Sequence, residues 1–334
     1  MKILIAPLNW GLGHAARCIP LIIRYLREGH EVTLAGDGDA LLLLRRHFPN
    51  LPHRTLAPLR LRYSSGNSQV GAMALALPKL FIWALRDHKA LDTLLRNETF
   101  DMVLSDNRFG CFSRRTRCVY LTHQLHIMLP DGWRWLEPVP ERLHLRIARR
   151  YSEVWVPDFA DSIGLSDHTS LSGALSHNVL PAWHDRVRYI GPLSRFEQVS
   201  AVQESSAQKS SAQDAFQVVA VLSGLEPQRT LLEQALIREW LGREETVLIV
   251  RGTLTAPPTT THKRNITLVP YMGDHDLAAA LRSARTVIAR SGYSTIMDLH
   301  ALGVLHKAKL IPTPGQPEQE YLALYIANKL NNTI

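Results

Sequence analysis

Four short segments of this chain gather residue types able to bind or transfer charged and hydroxylated groups. The first is Gly11-Leu12-Gly13-His14-Ala15-Ala16-Arg17, which follows one apolar run and opens a helical pattern. Glycines let a backbone approach a ligand closely, and a helix start offers free N–H groups to an anion. His14 adds an imidazole, a side chain suited to taking a proton near neutral pH. The second segment is Arg290-Ser291-Gly292-Tyr293-Ser294-Thr295, with Asp298 one turn further on. Hydroxyls and glycine at a helix start suit a diphosphate, although an ordinary N-cap uses the same residues. Asp298 is placed to accept from ribose hydroxyls or to complement the helix dipole. The third is Glu318-Gln319-Glu320 after Pro317, a group of acceptors for a sugar, or simply an acidic first helical turn. The fourth is the turn Ser223-Gly224, able to close over a phosphate. Each is weak alone, and their shared position after strands is the stronger fact.

The first segment also reads as G-x-G-x-x-A, and Asp37 follows the second strand where a ribose-binding acid would stand. On that pattern the chain would be an NAD-dependent oxidoreductase built on Gly11, Gly13, Ala16 and Asp37. That alternative leaves the segments at 291–295 and 318–320 without a role.

The elements that must position these residues follow from the apolar pattern. Strands are expected at 2–8, 32–35, 102–104, 118–121, 154–156 and 187–190. A helix is expected over 14–28 and a longer one over 71–96, kinked or broken at Pro78. Residues 199–214 are polar and lack an apolar period, as a linker or surface loop does. Beyond them strands are expected at 216–222, 246–250, 266–269, 286–289 and 308–311. Helices at 226–241, 274–284, 294–302 and 317–330 separate them. The strand–turn–helix alternation predicts an α/β protein of two Rossmann-like, doubly wound domains facing a cleft, 1–198 and 215–334, joined by the linker. Ligands of such sheets bind beyond the carboxyl ends of the strands.

Composition narrows the classes. Hydrophobic residues make up 46% of the 334 and charged residues 20%, which excludes a disordered chain. Three cysteines, Cys18, Cys111 and Cys118, show no CxxC spacing and exclude a disulfide scaffold. Up to residue 198 there are 25 basic and 18 acidic side chains, so nearly all of the net +8 lies in the first half. Such an excess favours an anionic surface or substrate. The segment 71–85 presents Leu75, Leu77, Leu80, Phe81, Ile82 and Trp83, too short and interrupted to span a bilayer. A cytoplasmic protein is expected, one that rests against the inner face of a membrane if that segment faces outward.

Taken together, Gly11-x-Gly13-His14-x-x-Arg17 and Arg290-Ser291-Gly292-Tyr293-Ser294-Thr295 resemble the GT-B glycosyltransferases of family 28, the type that completes the lipid-linked peptidoglycan precursor. The resemblance spans essentially the whole chain. It implies an inverting, metal-independent sugar transfer with no cofactor, a nucleoside diphosphate sugar (a UDP-sugar) as donor, and a lipid-linked or membrane-proximal acceptor. Nucleic acid is not an expected partner. On this resemblance Ser223, Gly224, Arg290, Ser291, Gly292, Ser294 and Thr295 surround the diphosphate and Asp298 the ribose. Glu318, Gln319 and Glu320 contact the donor sugar. Gly11, Gly13 and Arg17 line the acceptor side, and His14 faces the reacting centre as base. Asp106, at a strand end, is the alternative base and His123 a more distant one. Relatives of the same fold hydrolyse nucleotide sugars, and the sequence does not separate transfer from hydrolysis or from simple nucleotide-sugar binding. The Gly-rich donor loop of the family is reduced here to Ser223-Gly224.

Overall fold

A strand covered on both faces reads as a continuous apolar run, and β1 (Lys2–Pro7) is buried from its second residue onward. A computed structural model describes residues 1–59, 69–160, 170–177, 180–183, 185–199 and 216–331. In it β1 is an inner strand of a seven-stranded sheet with β2 (Glu31–Gly36), β3 (His53–Thr55), β4 (Met102–Asp106), β5 (Arg117–Leu121), β6 (Glu153–Val156) and β7 (Val187–Tyr189). The order is β3-β2-β1-β4-β5-β6-β7 and every pair is parallel. Side chains alternate across the strand. Ile3 and Ile5 pack toward α1 (Gly13–Arg27) and α2 (Gly38–His47), while Leu4 and Ala6 pack toward α3 (Gln69–Asn97) and α4 (Pro138–Ala148).

The second sheet comprises β8 (Val218–Val221), β9 (Val247–Val250), β10 (Thr261–Lys263), β11 (Ile266–Val269), β12 (Thr286–Arg290) and β13 (Ala308–Ile311). Its order is β10-β11-β9-β8-β12-β13, parallel except for β10. Its helices are α5 (Gln228–Trp240), α6 (Asp274–Ser283), α7 (Tyr293–Ala301) and α8 (Pro317–Asn331). Each sheet reverses its winding once, between β1 and β4 and between β8 and β12. Loops diverge at such a reversal and leave a crevice at the carboxyl ends. His14, Asp106, Ser223 and Ser291 all stand at these two points.

The halves share one apolar cluster, in which Ala15 and Ile19 of α1, Leu193 and Phe196 meet Tyr293, Ile296 and Met297 of α7. Helix α8 returns to the first half. Its Tyr321 hydroxyl accepts from the Ala174 N–H at 2.8 Å and its Tyr325 hydroxyl donates to the Ser170 carbonyl at 2.9 Å. Gly173 (φ +53°) makes this fit, since a Cβ there would lie 2.3 Å from the Tyr321 oxygen.

Every strand expected from the sequence is present. The short edge strands β3 and β10 and the helices α2 and α4 were not anticipated. The expected break at Pro78 is absent: α3 runs unbroken through it for 29 residues. One missing N–H leaves the hydrogen-bond ladder on either side in place. The expected linker lies outside the described residues except for Val199, which is buried.

Candidate functional site

After β1 the chain turns at Gly11 (φ +76°), a conformation that favours glycine, and enters α1 at Gly13. A Cβ on Gly11 would sit 3.7 Å from the Gly224 Cα, and one on Gly13 would sit 2.9 Å from the Ser294 Oγ. Thus the first segment touches the second and the fourth, across the boundary between the halves.

His14, the second residue of α1, turns its Nδ1 onto Asp106 Oδ1 at 2.9 Å. Asp106 ends β4 opposite Pro7 of β1 and is fully buried. Arg17, one turn further along α1, grips the same carboxylate, with Nε on Oδ2 at 2.6 Å and Nη2 on Oδ1. Burial alone would raise the Asp106 carboxyl, but Arg17 and then His14 outweigh it and hold it at about 2. The carboxylate therefore stays charged and, at 2.9 Å the nearer of the two groups at His14 Nδ1 (Arg17 Nη2 lies at 3.1 Å), accepts the Nδ1 proton. That orientation frees Nε2 as the ring's proton acceptor. The His14 side chain keeps 16% exposure against none for Asp106, so the imidazole alone of the pair meets solvent.

Arg17 itself is buried at 1% exposure, beneath the acceptor side rather than lining it. Its Nη1 donates to His123 Nδ1 at 2.9 Å, and His123 Nε2 donates to Glu318 Oε1 at 2.8 Å. The His123 ring stacks on Tyr293, with centroids 4.4 Å apart.

A cavity of about 680 Å³ opens along the Gly11-Leu12 turn between the halves, within the range of small-molecule sites. Asn9 and Asp39 line it from the first half; Ser223, Gly224, Glu226 and Arg229 line it from the second. Asn9, Asp39 and Arg229 were not singled out from the sequence. Asn9 had a legible signal, since it follows the inner strand β1.

Gly292 precedes α7 with an ordinary φ of −70°, and a Cβ there would meet nothing within 4 Å. There is room for a side chain at Gly292, while Ser294 faces Gly13 across the boundary. Behind this helix start, several expected donor contacts are engaged within the protein. Ser291 is fully buried and donates to the Gln319 carbonyl at 2.7 Å. Arg290 ties the Pro312 and Gln228 carbonyls together. Gln319 Oε1 accepts from the Thr313 N–H, and Glu320 from the Gly315 N–H. Asp298 accepts from the Ser194 hydroxyl at 2.7 Å and faces Arg195 at 3.4 Å. Burial raises its carboxyl to about 6 despite Arg195. The structure thus gathers Gly11, Gly13, His14, Arg17 and Asp106 with Ser223, Gly224, Ser294 and Glu318. Asp298 is turned instead toward the segment leaving the first half.

Asp37, on which the dinucleotide alternative rests, is 4% exposed and paired with the buried Arg108 at 2.7 Å. Its carboxylate is committed to the fold. Contrary to the expectation that the sequence lacks an Asp-x-Asp pattern able to hold a diphosphate-bound metal, it contains two such pairs. In Asp37-Gly38-Asp39 the first acid is this partner of Arg108. In Asp274-His275-Asp276 the first acid binds His47 at 2.9 Å and Arg195 at 3.3 Å.

Residues 218–334 match the glycosyltransferase family 28 C-terminal domain. An uncharacterized glycosyltransferase of Methanosarcina mazei is 23% identical over 332 residues, covering 98% of this chain and 83% of its own. Among solved structures, the glycotransferase of kitacinnamycin superposes with a TM-score of 0.55 at 14% identity, over 99% of this chain and 93% of the other. The UDP-GlcNAc 2-epimerase of Neisseria meningitidis, bound to UDP-GlcNAc, gives 0.55 at 13% identity, over 98% and 92%. The two sheets and these neighbours thus define a two-domain GT-B fold. Residues 218–334 carry the glycosyltransferase family 28 C-terminal domain, and the chain is similar over its length to a glycosyltransferase.

Proposed function

We propose that the protein transfers a sugar from a nucleoside diphosphate donor, a UDP-sugar, to an acceptor hydroxyl, with inversion and without a metal. The observation that carries this reading is the opposition of the Asp106-oriented His14 to the α7 start across the Gly13–Ser294 contact. The acceptor hydroxyl must lose its proton as it attacks the anomeric carbon, and His14 Nε2 receives it. The departing diphosphate needs charge stabilisation, which the N–H groups and hydroxyls at the α7 start supply from the opposite side. A base on one half and a leaving-group site on the other favour displacement with inversion. Asp106 orients and polarises His14; a carboxyl held at about 2 is too weak a base to act itself. The fold neighbour that holds UDP-GlcNAc supports the choice of UDP.

The acceptor is lipid-linked or membrane-proximal in this reading. Along α3, Phe81, Ile82 and Leu85 are 66%, 48% and 53% exposed, whereas Trp83 is buried against Leu8 and Leu59. No helix among the described residues is long and apolar enough to cross a membrane. Exposed apolar side chains beside the basic first half suit reversible attachment to an anionic surface.

A ligand-stabilisation screen of UDP, GDP, CMP and NAD tests the donor, because ligands of the native state raise its apparent stability. UDP should stabilise the wild type and fail to stabilise Gly292→Leu. Gly292 has room for a side chain, so that variant fills the space before α7 without disturbing the fold. Stabilisation by NAD, or normal UDP binding by Gly292→Leu, would contradict the assignment.

A further inference from the structure

The link from Arg17 through His123 to Glu318 takes no step in the chemistry just described, yet it crosses from one half to the other through the buried His123. His123 follows β5 and is 6% exposed. The second half holds it on two sides, Tyr293 against its face and Glu318 at its edge. Proton positions along the bridge are fixed by what each group can do. Arginine only donates, so the His123 Nδ1 facing Arg17 Nη1 at 2.9 Å carries no proton. The ring proton then sits on Nε2 and is donated to Glu318 Oε1 at 2.8 Å. Glu318 therefore selects the His123 tautomer. The other tautomer would aim an N–H at the guanidinium and strand the Glu318 carboxylate. Arg17 is in turn held by His123 on Nη1 and by Asp106 on Nε and Nη2, and its Nη2 also lies 3.1 Å from His14 Nδ1. Loss of the first leaves the Asp106 grip, and with it the orientation of His14, less fixed.

We propose that His123 and Glu318 are positioning residues that transmit the seating of the second half to His14 through Arg17 and Asp106. The consequence for turnover rests on the reading of His14 as base; the structural coupling does not. Donor binding and domain seating are then linked: His14 is held in its reactive tautomer when α8 presents Glu318 to the first half.

The test is ring-nitrogen NMR on protein labelled with 15N-histidine, comparing wild type, Glu318→Gln and Glu318→Ala. Signals are assigned with His14→Ala and His123→Ala. Wild type should show His123 protonated on Nε2 and His14 protonated on Nδ1. Glu318→Gln keeps an accepting oxygen and should preserve both patterns. Glu318→Ala should mix the His123 tautomers and shift the His14 signals beyond any change in Glu318→Gln, which removes the same charge acting on His14. The Glu318 side chain is 29% exposed at a helix start, so its truncation opens no buried cavity. Unchanged His14 signals in Glu318→Ala overturn the proposal, as does a Glu318→Gln variant that disturbs His14 equally. Turnover of a UDP-sugar by His14→Ala separates the two claims. If turnover survives, the base assignment fails and the coupling stands; if it is lost while Glu318→Ala leaves His14 unmoved, the coupling alone fails.

Discussion

Replacing Asp106 by asparagine removes the charge on which the buried end of the site is built. The carboxyl lies at about 2 in the folded protein against 3.8 when free. At about 1.4 kcal/mol per pKa unit, that depression corresponds to roughly 2 kcal/mol of stability. Because the folded pKa is the lower one, the unfolded chain binds more protons between the two values. The contribution is complete at neutral pH and is lost as pH falls from about 4 to about 2. Asparagine does more than remove it. Arg17 is 1% exposed, and a buried guanidinium without its counter-charge typically costs about 3–5 kcal/mol. Urea unfolding at pH 7 should therefore show Asp106→Asn destabilised by about 3–5 kcal/mol. An Arg17→Met/Asp106→Leu double variant should regain most of that loss, since an apolar pair of similar volume does not leave a charge stranded. Turnover of Asp106→Asn should fall less than that of His14→Ala, because the imidazole remains. A loss below about 1 kcal/mol, or a double variant no more stable than the single, would refute the buried-pair account.

Three further outcomes follow from the same structure. Asp298 has its carboxyl raised to about 6 by burial, so the folded state holds this proton more tightly and stability falls as pH rises from about 4 to 6; in melting-temperature scans Asp298→Asn, which keeps an acceptor for Ser194, should lack roughly 3 kcal/mol of that decline. Gly13→Ala places a Cβ 2.9 Å from Ser294 Oγ and should cost about 1–3 kcal/mol with reduced turnover. Adding Ser294→Gly should recover much of that loss of stability. In liposome flotation at low salt the wild type should rise with anionic vesicles, and Phe81→Ser/Ile82→Ser/Leu85→Ser should not; absence of wild-type retention would end the membrane reading.

The sheets were legible because central parallel strands are covered on both faces and leave unbroken apolar runs. Helices α2 and α4 were not. The run Leu41 to Leu44 hides a helical period, and α4 opens with Pro138-Val139-Pro140, which reads as a turn. In the site, His14, Ser291 to Thr295 and Ser223-Gly224 stood out because each follows a strand and precedes a helix. Their partners did not stand out. His14 and Asp106 are 92 residues apart and His123 and Glu318 are 195 apart, so no local spacing reports either pair. For the same reason Arg17 read as an acceptor-side contact, when burial makes it the clasp on Asp106 beneath His14. Asp298 read as a ribose acceptor, whereas its observed partners come from the segment that leaves the first half. Local pattern marks which loops meet a ligand; long-range pairing decides which side chains within them remain free.

The central claim is that His14 takes the acceptor proton while the α7 start holds the diphosphate. Steady-state UDP release from the UDP-sugar that stabilises the protein best, measured beside UDP affinity for wild type and His14→Ala, tests it most directly. A positioned base contributes about a hundredfold or more to rate, so turnover should drop by at least about that factor with UDP affinity nearly unchanged. Near-normal turnover in His14→Ala would contradict the account.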